Sequence, residues 1–156
     1  MGELSNFDIL KFCKNEKIRL DGVLMKDQLG SKKKNYTIIN LESSSVGKGG
    51  THWVCLLHQK AGWFYFDSYG VQPPQEIIKY VDQFAEQPFA YNSYQIQHYD
   101  STYCGWFCLG LIVFTKKSPL GFYDSINEFL NMFDSVKRLN NDKIIKDYFK
   151  ESILKK

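Results

Sequence analysis

Apolar positions along the chain change period several times, and each change marks an expected element. Over residues 5–17 they keep a helical rhythm, with Phe7, Leu10 and Cys13 on one side, Ser5 as N-cap and Asp8 in the first turn. A lysine-rich polar loop covers residues 30–35, and the β-branched and aromatic run at 36–41 reads as a strand. After a loop rich in Ser and Gly (residues 42–50), two aromatic strands follow at 51–58 and 63–68, joined through Gln59, Lys60, Ala61 and Gly62 as a hairpin. Pro73 and Pro74 break the pattern, and residues 75–86 resume as an amphipathic helix with Ile77, Val81 and Phe84 on one face. Residues 89–97 are strand-like, and residues 104–114 are apolar throughout, which predicts a buried helix. Two more helices are expected, at 122–133 and at 142–153, the second with Ile145, Tyr148, Phe149 and Ser152 near one face. Strands in the middle and helices at both ends predict an α+β fold, and no repeat or linker divides residues 1–156 into more than one domain.

Composition narrows the class. With 44% hydrophobic residues and a net charge of +3, the chain is too apolar and too weakly charged for disorder. The longest nearly uncharged stretch, residues 104–115, is too short to span a bilayer, so no membrane role is expected. Residues 1–8 lack a basic-then-apolar leader, which predicts a protein that is not secreted. Cys13, Cys55, Cys104 and Cys108 are then expected as free thiols, since a helix aims the Cβ atoms of residues 104 and 108 outward rather than at each other. The charge is mostly lysine, with runs at Lys32–Lys34, Lys116–Lys117 and Lys155–Lys156. These read as solvated loop and tail charges, and a weak DNA contact is the most they support. The aromatic excess, 12 Phe, 10 Tyr and 3 Trp, fits either a ligand platform or a dense core.

The polar residues of the central region fit thiol chemistry. A cysteine nucleophile needs a base to take its proton and a third group to orient that base. Cys104 lies where a polar loop gives way to the buried helix, so the helix dipole favours its thiolate. Gly105 beside it leaves room for a substrate backbone. Cys108, Cys13 and Cys55 read as packed and inert. If the hairpin closes on Lys60 and Ala61, opposed residue numbers sum to 121. His52 then faces Tyr69, and Asp67 becomes its same-face diagonal neighbour, within reach of the imidazole N–H. A slip of one residue would put the two on opposite faces. His58, beside the turn, and His98 read as solvent-facing. Gln97, at the end of the strand leading into the nucleophile loop, can supply an oxyanion donor together with the Cys104 backbone N–H, and Gln95 is its rival.

The order His, Asp, Gln, Cys, carried by Gly50-Thr51-His52-Trp53, Phe66-Asp67-Ser68-Tyr69-Gly70, Gln97 and Cys104-Gly105-Trp106-Phe107-Cys108, resembles the adenain-like cysteine proteases. These are the adenovirus-type maturation proteases, which share a clan with SUMO- and ubiquitin-like-protein proteases. Within that group the chain looks most like proteases of virophages and Polinton-like elements. The resemblance implies a papain-related fold of permuted order, a small mixed sheet flanked by helices. It implies the roles Cys104 nucleophile, His52 base, Asp67 orienting group and Gln97 oxyanion donor, because seven positions between Gln and Cys is the adenain spacing. It further implies a monomeric hydrolase that cuts capsid or core precursor proteins after small residues such as glycine, in the virion and in the host-cell cytoplasm or viral factory. Two features depart from the adenovirus pattern. Asp67 stands where those enzymes carry Glu, and residues 80–97 hold no cysteine for a covalently attached activating peptide. No cofactor is therefore required on this reading, and activation by a peptide or by DNA has no support beyond the lysine runs.

Three other functions fit parts of the pattern. A protease for SUMO or ubiquitin-like tails would use the same four residues. An acyltransferase would use the same Cys and His. A metal-stabilised binding module would use Cys104, Cys108 and a histidine, although closely spaced ligand pairs in loops are missing.

Overall fold

In the computed structural model, which describes residues 1–42, 52–84 and 87–152, five strands form one mixed sheet in the order β1-β2-β3-β4-β5. They are β1 (Gly22–Met25), β2 (Tyr36–Asn40), β3 (Trp53–Gln59), β4 (Gly62–Phe66) and β5 (Phe89–Tyr91). The two outer pairs are parallel, and the two inner pairs are antiparallel. Helices α1 (Asn6–Asn15), α2 (Gln75–Asp82), α3 (Cys104–Lys117), α4 (Phe122–Leu130) and α5 (Asn141–Ser152) complete the α+β architecture that the sequence predicts. The loop expected at 42–50 lies, apart from Glu42, outside the described residues, as do the last two residues of the helix expected at 75–86 and Ile153.

β3 and β4 read as unbroken apolar runs because both faces of the sheet are covered. Trp53, Cys55, Leu57, Phe64 and Phe66 face the larger core with α3, while Val54, Leu56, Trp63 and Tyr65 face a smaller one with Ile77, Tyr80 and Val81 of α2. The aromatic excess is thus largely core packing, each fully buried ring contributing roughly 2–3 kcal/mol. The hairpin closes on Lys60 and Ala61, with Gln59 opposite Gly62 and Cys55 opposite Phe66. α3 is apolar all round and correspondingly buried all round, and Ile145 of α5 and Phe129 of α4 close over Gly110.

Four expectations need correction. Residues 22–25 form a strand that the pattern does not announce, since all four residues are only half-buried and show no alternation. On α1 the buried residues are Ile9 and Cys13, and Phe7 and Leu10 are exposed. The strand expected at 89–97 ends at Tyr91. There the Asn92 side chain binds the N–H and C=O of Asp67, replacing the backbone ladder that a longer strand would continue. Finally, α3 runs on to Lys117, where two lysines suit the negative end of the helix dipole.

Gly70 closes the turn after β4 with φ of 72°, and its N–H donates to the Asp67 carbonyl at 2.8 Å. A Cβ there would stand 2.5 Å from the Tyr94 carbonyl carbon, a backbone atom that cannot swing away. Gly70→Ala is therefore expected to cost on the order of 2 kcal/mol, from the left-handed φ and the clash together. Urea unfolding of the variant checks this, and an unchanged midpoint contradicts it.

Candidate active site

β3 begins and β4 ends at the same end of the sheet, and the polar groups lie just beyond those strand ends: His52 precedes Trp53, and Asp67 follows Phe66. The 121 register puts His52 opposite Tyr69, and the two rings lie 4.9 Å apart between centroids. The His52 Nε2 lies 2.9 Å from Asp67 Oδ1, the contact that the register requires. Asp67 is itself fixed from three sides. Its Oδ1 accepts the Tyr69 N–H at 2.8 Å, its N–H donates to Asn92 Oδ1 at 3.1 Å, and its carbonyl accepts Asn92 Nδ2 at 2.6 Å.

Cys104 is the first residue of α3 and is buried. The Trp53 backbone N–H donates to its sulfur at 3.4 Å, tying the nucleophile candidate to the residue after His52. The N-cap residue Tyr103 contributes no side-chain cap, so the first-turn amides of α3 keep their affinity for negative charge. Gly105 has a different neighbour from the substrate backbone that the sequence suggests. A Cβ there would meet Leu4 Cδ1 at 3.1 Å and Trp53 Cδ1 at 3.4 Å. Residues 1–4 are held against this end of α3 by indole and phenol donors. Trp53 Nε1 binds the Leu4 carbonyl, Trp106 Nε1 the Gly2 carbonyl and Tyr103 Oη the Met1 carbonyl.

The electrostatics separate one histidine and two of the thiols from their ordinary values. Burial works against a charged His52, but interactions with Asp67 and Cys104 outweigh it and raise the imidazole to about 9. Since Nε2 faces Asp67, the remaining ring nitrogen, Nδ1, is the one available to Cys104. Burial raises the Cys13 thiol to about 11 and holds the fully enclosed Cys108 thiol well above its usual range, so both stay neutral. Cys108 donates to the Trp53 carbonyl at 3.5 Å, and all four cysteines are free.

Gln97 is buried in a loop rather than at a strand end, since β5 stops short of it. The carbonyl of Ser68 holds the Ile96 and Gln97 backbone N–H groups at 2.9 and 3.0 Å. The Ser68 hydroxyl donates to Gln97 Oε1 at 2.5 Å, which orients the amide and sends Nε2 toward the Ser101 carbonyl at 2.8 Å. That leaves Nε2 one further hydrogen to donate. Gln95 uses its own Nε2 on the Gln97 carbonyl at 2.7 Å, so it braces Gln97.

His58 is buried rather than solvent-facing, with its ring nitrogens against Asn35 Oδ1 at 3.0 Å and Gln87 Oε1 at 2.6 Å. His98 is half-buried, accepts the Asp100 N–H and stacks on Tyr99. Among the described residues, no three His, Cys, Asp or Glu side chains are grouped to hold a metal ion, so Cys104 and Cys108 gain no third ligand. Also among them, no helix is long and apolar enough to cross a membrane. Sequence reasoning missed Ser68 and Asn92 as parts of the site. Short polar residues in loops read as turn formers, and only their burial here marks them out.

No family model and no curated protein matches the chain. Its fold does match solved structures. Two crystal structures of the ASFV pS273R protease align over 94% of this chain, at 15% and 16% identity and TM-scores of 0.52 and 0.56. A structure of the SUMO protease Ulp1, its catalytic cysteine oxidised to a sulfinic acid, aligns over 92% of this chain at 16% identity and a TM-score of 0.36. The chain spans 66% of the ASFV protease and 62% of the Ulp1 chain. The α+β arrangement of this chain is therefore similar to the fold of the ASFV pS273R protease.

The raised His52 value has a sign that can be checked. Folding lifts the imidazole from 6.5 to about 9. The stability this contributes is fully present below pH 6.5 and is lost as pH rises toward about 9. An NMR titration of the His52 ring is expected to give a midpoint near 9 in the wild type and lower midpoints in Asp67→Asn and Cys104→Ala. A midpoint that neither substitution moves would contradict the assigned cause.

Proposed function

We propose that the chain is a cysteine endopeptidase with Cys104 as nucleophile, His52 as base, Asp67 as the group that orients His52, and Gln97 as oxyanion donor. The observation that carries the reading is the His52–Asp67 contact at 2.9 Å, next to Cys104, the first residue of a buried helix, whose sulfur accepts the N–H of Trp53, the residue after His52. A protonated imidazole between a carboxylate and a sulfur is the arrangement that holds a thiolate ready. The fold likeness to a viral protease supports the same chemistry.

The steps follow from the groups in place. The Cys104 sulfur attacks the scissile carbonyl carbon and forms a C–S bond, and the carbonyl electrons move onto oxygen. That oxyanion is met by the free hydrogen of Gln97 Nε2 and by the backbone N–H of Cys104. Collapse of the intermediate breaks the C–N bond as His52 passes its proton to the leaving amine. Water, deprotonated by His52, then attacks the thioester and releases the acid and the thiol. Asp67 keeps Nε2 occupied throughout, so Nδ1 is the nitrogen that exchanges the proton.

The substrate we propose is a capsid or core precursor cut after a small residue, acted on in the virion, the cytoplasm or the viral factory by a monomeric enzyme without cofactor. This rests on the motif resemblance to adenain-like enzymes and on the viral origin of the structural neighbour. The test is cleavage of two substrates, a capsid precursor from a virus that encodes an adenain-like enzyme and a ubiquitin-like protein with a diglycine tail. Cutting of the precursor alone is expected, and cutting of the diglycine protein alone would assign the enzyme to ubiquitin-like tails. Cys104→Ala is expected to abolish cleavage with folding intact, and Gln97→Ala to lower turnover by roughly 10²–10³. Iodoacetamide is expected to alkylate Cys104 faster than Cys13 or Cys55 near neutral pH, an advantage lost in His52→Ala. Equal rates at the three cysteines would sink the catalytic reading.

A further inference from the structure

The segment from Gln97 to Cys104 carries both groups assigned to the oxyanion, yet up to Tyr103 it has no regular structure to fix it. Its hub is Ser101, whose carbonyl accepts Gln97 Nε2 at 2.8 Å and Tyr69 Oη at 3.4 Å. The Ser101 hydroxyl accepts the N–H of Tyr103, the residue before Cys104, at 3.1 Å. That hydroxyl donates in turn to Asp142 Oδ1 at 2.7 Å, in the first turn of α5. The neighbouring Asn141, fully buried, donates to the Ile96 carbonyl at 2.7 Å, on the other side of Gln97.

One end of α5 therefore holds the loop at two points, on either side of the oxyanion donor. The hydroxyl of Ser101 can donate only one hydrogen, so the Asp142 carboxylate fixes its direction and leaves its lone pairs for the Tyr103 N–H. Through that N–H the start of α3 is set, and through the Ser101 carbonyl the amide of Gln97 is set. We propose that Asp142 and Ser101 are positioning residues for the oxyanion pocket, which rests on the protease reading above. Neither residue touches the reacting atoms. Their effect is to keep two donors aimed at one point, which matters only when negative charge develops on a carbonyl oxygen.

This separates two reactions of the same sulfur. Alkylation by iodoacetamide displaces iodide at a saturated carbon and makes no oxyanion. Acylation by p-nitrophenyl acetate makes one: sulfur bonds to the carbonyl carbon, p-nitrophenolate leaves with its electron pair, and water later releases acetate from the thioester. In Asp142→Ala and Ser101→Ala, the acylation rate constant is expected to fall about ten-fold, while the alkylation rate stays within about two-fold of wild type. Asp142→Asn keeps an acceptor oxygen for the Ser101 hydroxyl and is expected to restore most of the acylation rate. Peptide cleavage should show the same loss in kcat with KM little changed. Unchanged acylation in both alanine variants would overturn the proposal, as would a parallel loss of alkylation, which would mean general damage to the site. A wild-type protein whose Cys104 alkylates but never acylates would overturn the protease reading. That outcome differs from the others because in them the wild type acylates normally.

Discussion

The pairing register of β3 with β4 is the constraint on which the rest of the site depends. His52 and Asp67 lie one step beyond the strand ends, and side chains alternate with a period of two. A slip of one residue would send the imidazole and the carboxylate to opposite faces, and no local adjustment could recover a 2.9 Å contact. The register is protected by the packing on both faces. The same slip would drive Trp63 and Tyr65 into the space of Phe64 and Phe66, between cores that are already filled. The hydrophobic pattern that makes the sheet thus also makes the dyad, and the two cannot be varied separately.

The other half of the site obeys a different rule. Gln97, Ser101 and the start of α3 belong to a segment with no ladder, so each backbone group must find a partner individually. Ser68, Gln95, Asn141 and Asp142 supply those partners, and they come from three separate parts of the chain. Buried side-chain amides and hydroxyls are costly when unpaired, roughly 1–3 kcal/mol each, so such a network is either complete or a liability. Here each of these side chains has its partner, and together they give an irregular loop the stiffness that the sheet provides for His52 and Asp67.

This division explains what the sequence made legible. The helices, the hairpin and its register follow from periodicity and from a turn of only two residues. His52, Asp67 and Cys104 stand out as candidates in the sequence because chemically distinctive residues sit at positions that a regular lattice relates to one another. Gln97 could be singled out, but its setting could not. The strand thought to carry it stops where the Asn92 side chain takes over the backbone groups of Asp67. β1 escaped notice because half-buried residues on a sheet edge need no alternation. His58 looked like a residue beside a turn, and only the approach of Asn35 and Gln87 from distant parts of the chain buries it. What stayed hidden depends on long-range contacts of short polar side chains, which leave no periodic trace.

The energetic character of the dyad follows from its burial. Asp67 is 1% exposed, and a carboxylate so placed would be strongly disfavoured without compensation. Its partners are the His52 ring and the Tyr69 N–H, while Asn92 holds its backbone. The same contacts that raise the imidazole to about 9 therefore make the carboxylate tolerable where it stands. Removing His52 leaves the buried Asp67 carboxylate without its main partner, at a cost of about 3–5 kcal/mol in comparable buried pairs. On the proposed mechanism, activity and stability are consequently tied together at His52 and Asp67. At Ser101 and Asp142, where the groups are partly exposed and no charge pair is broken, aim can be lost while the fold is kept. That difference is why the alignment of the proposed oxyanion donors can be tested apart from the integrity of the proposed nucleophile.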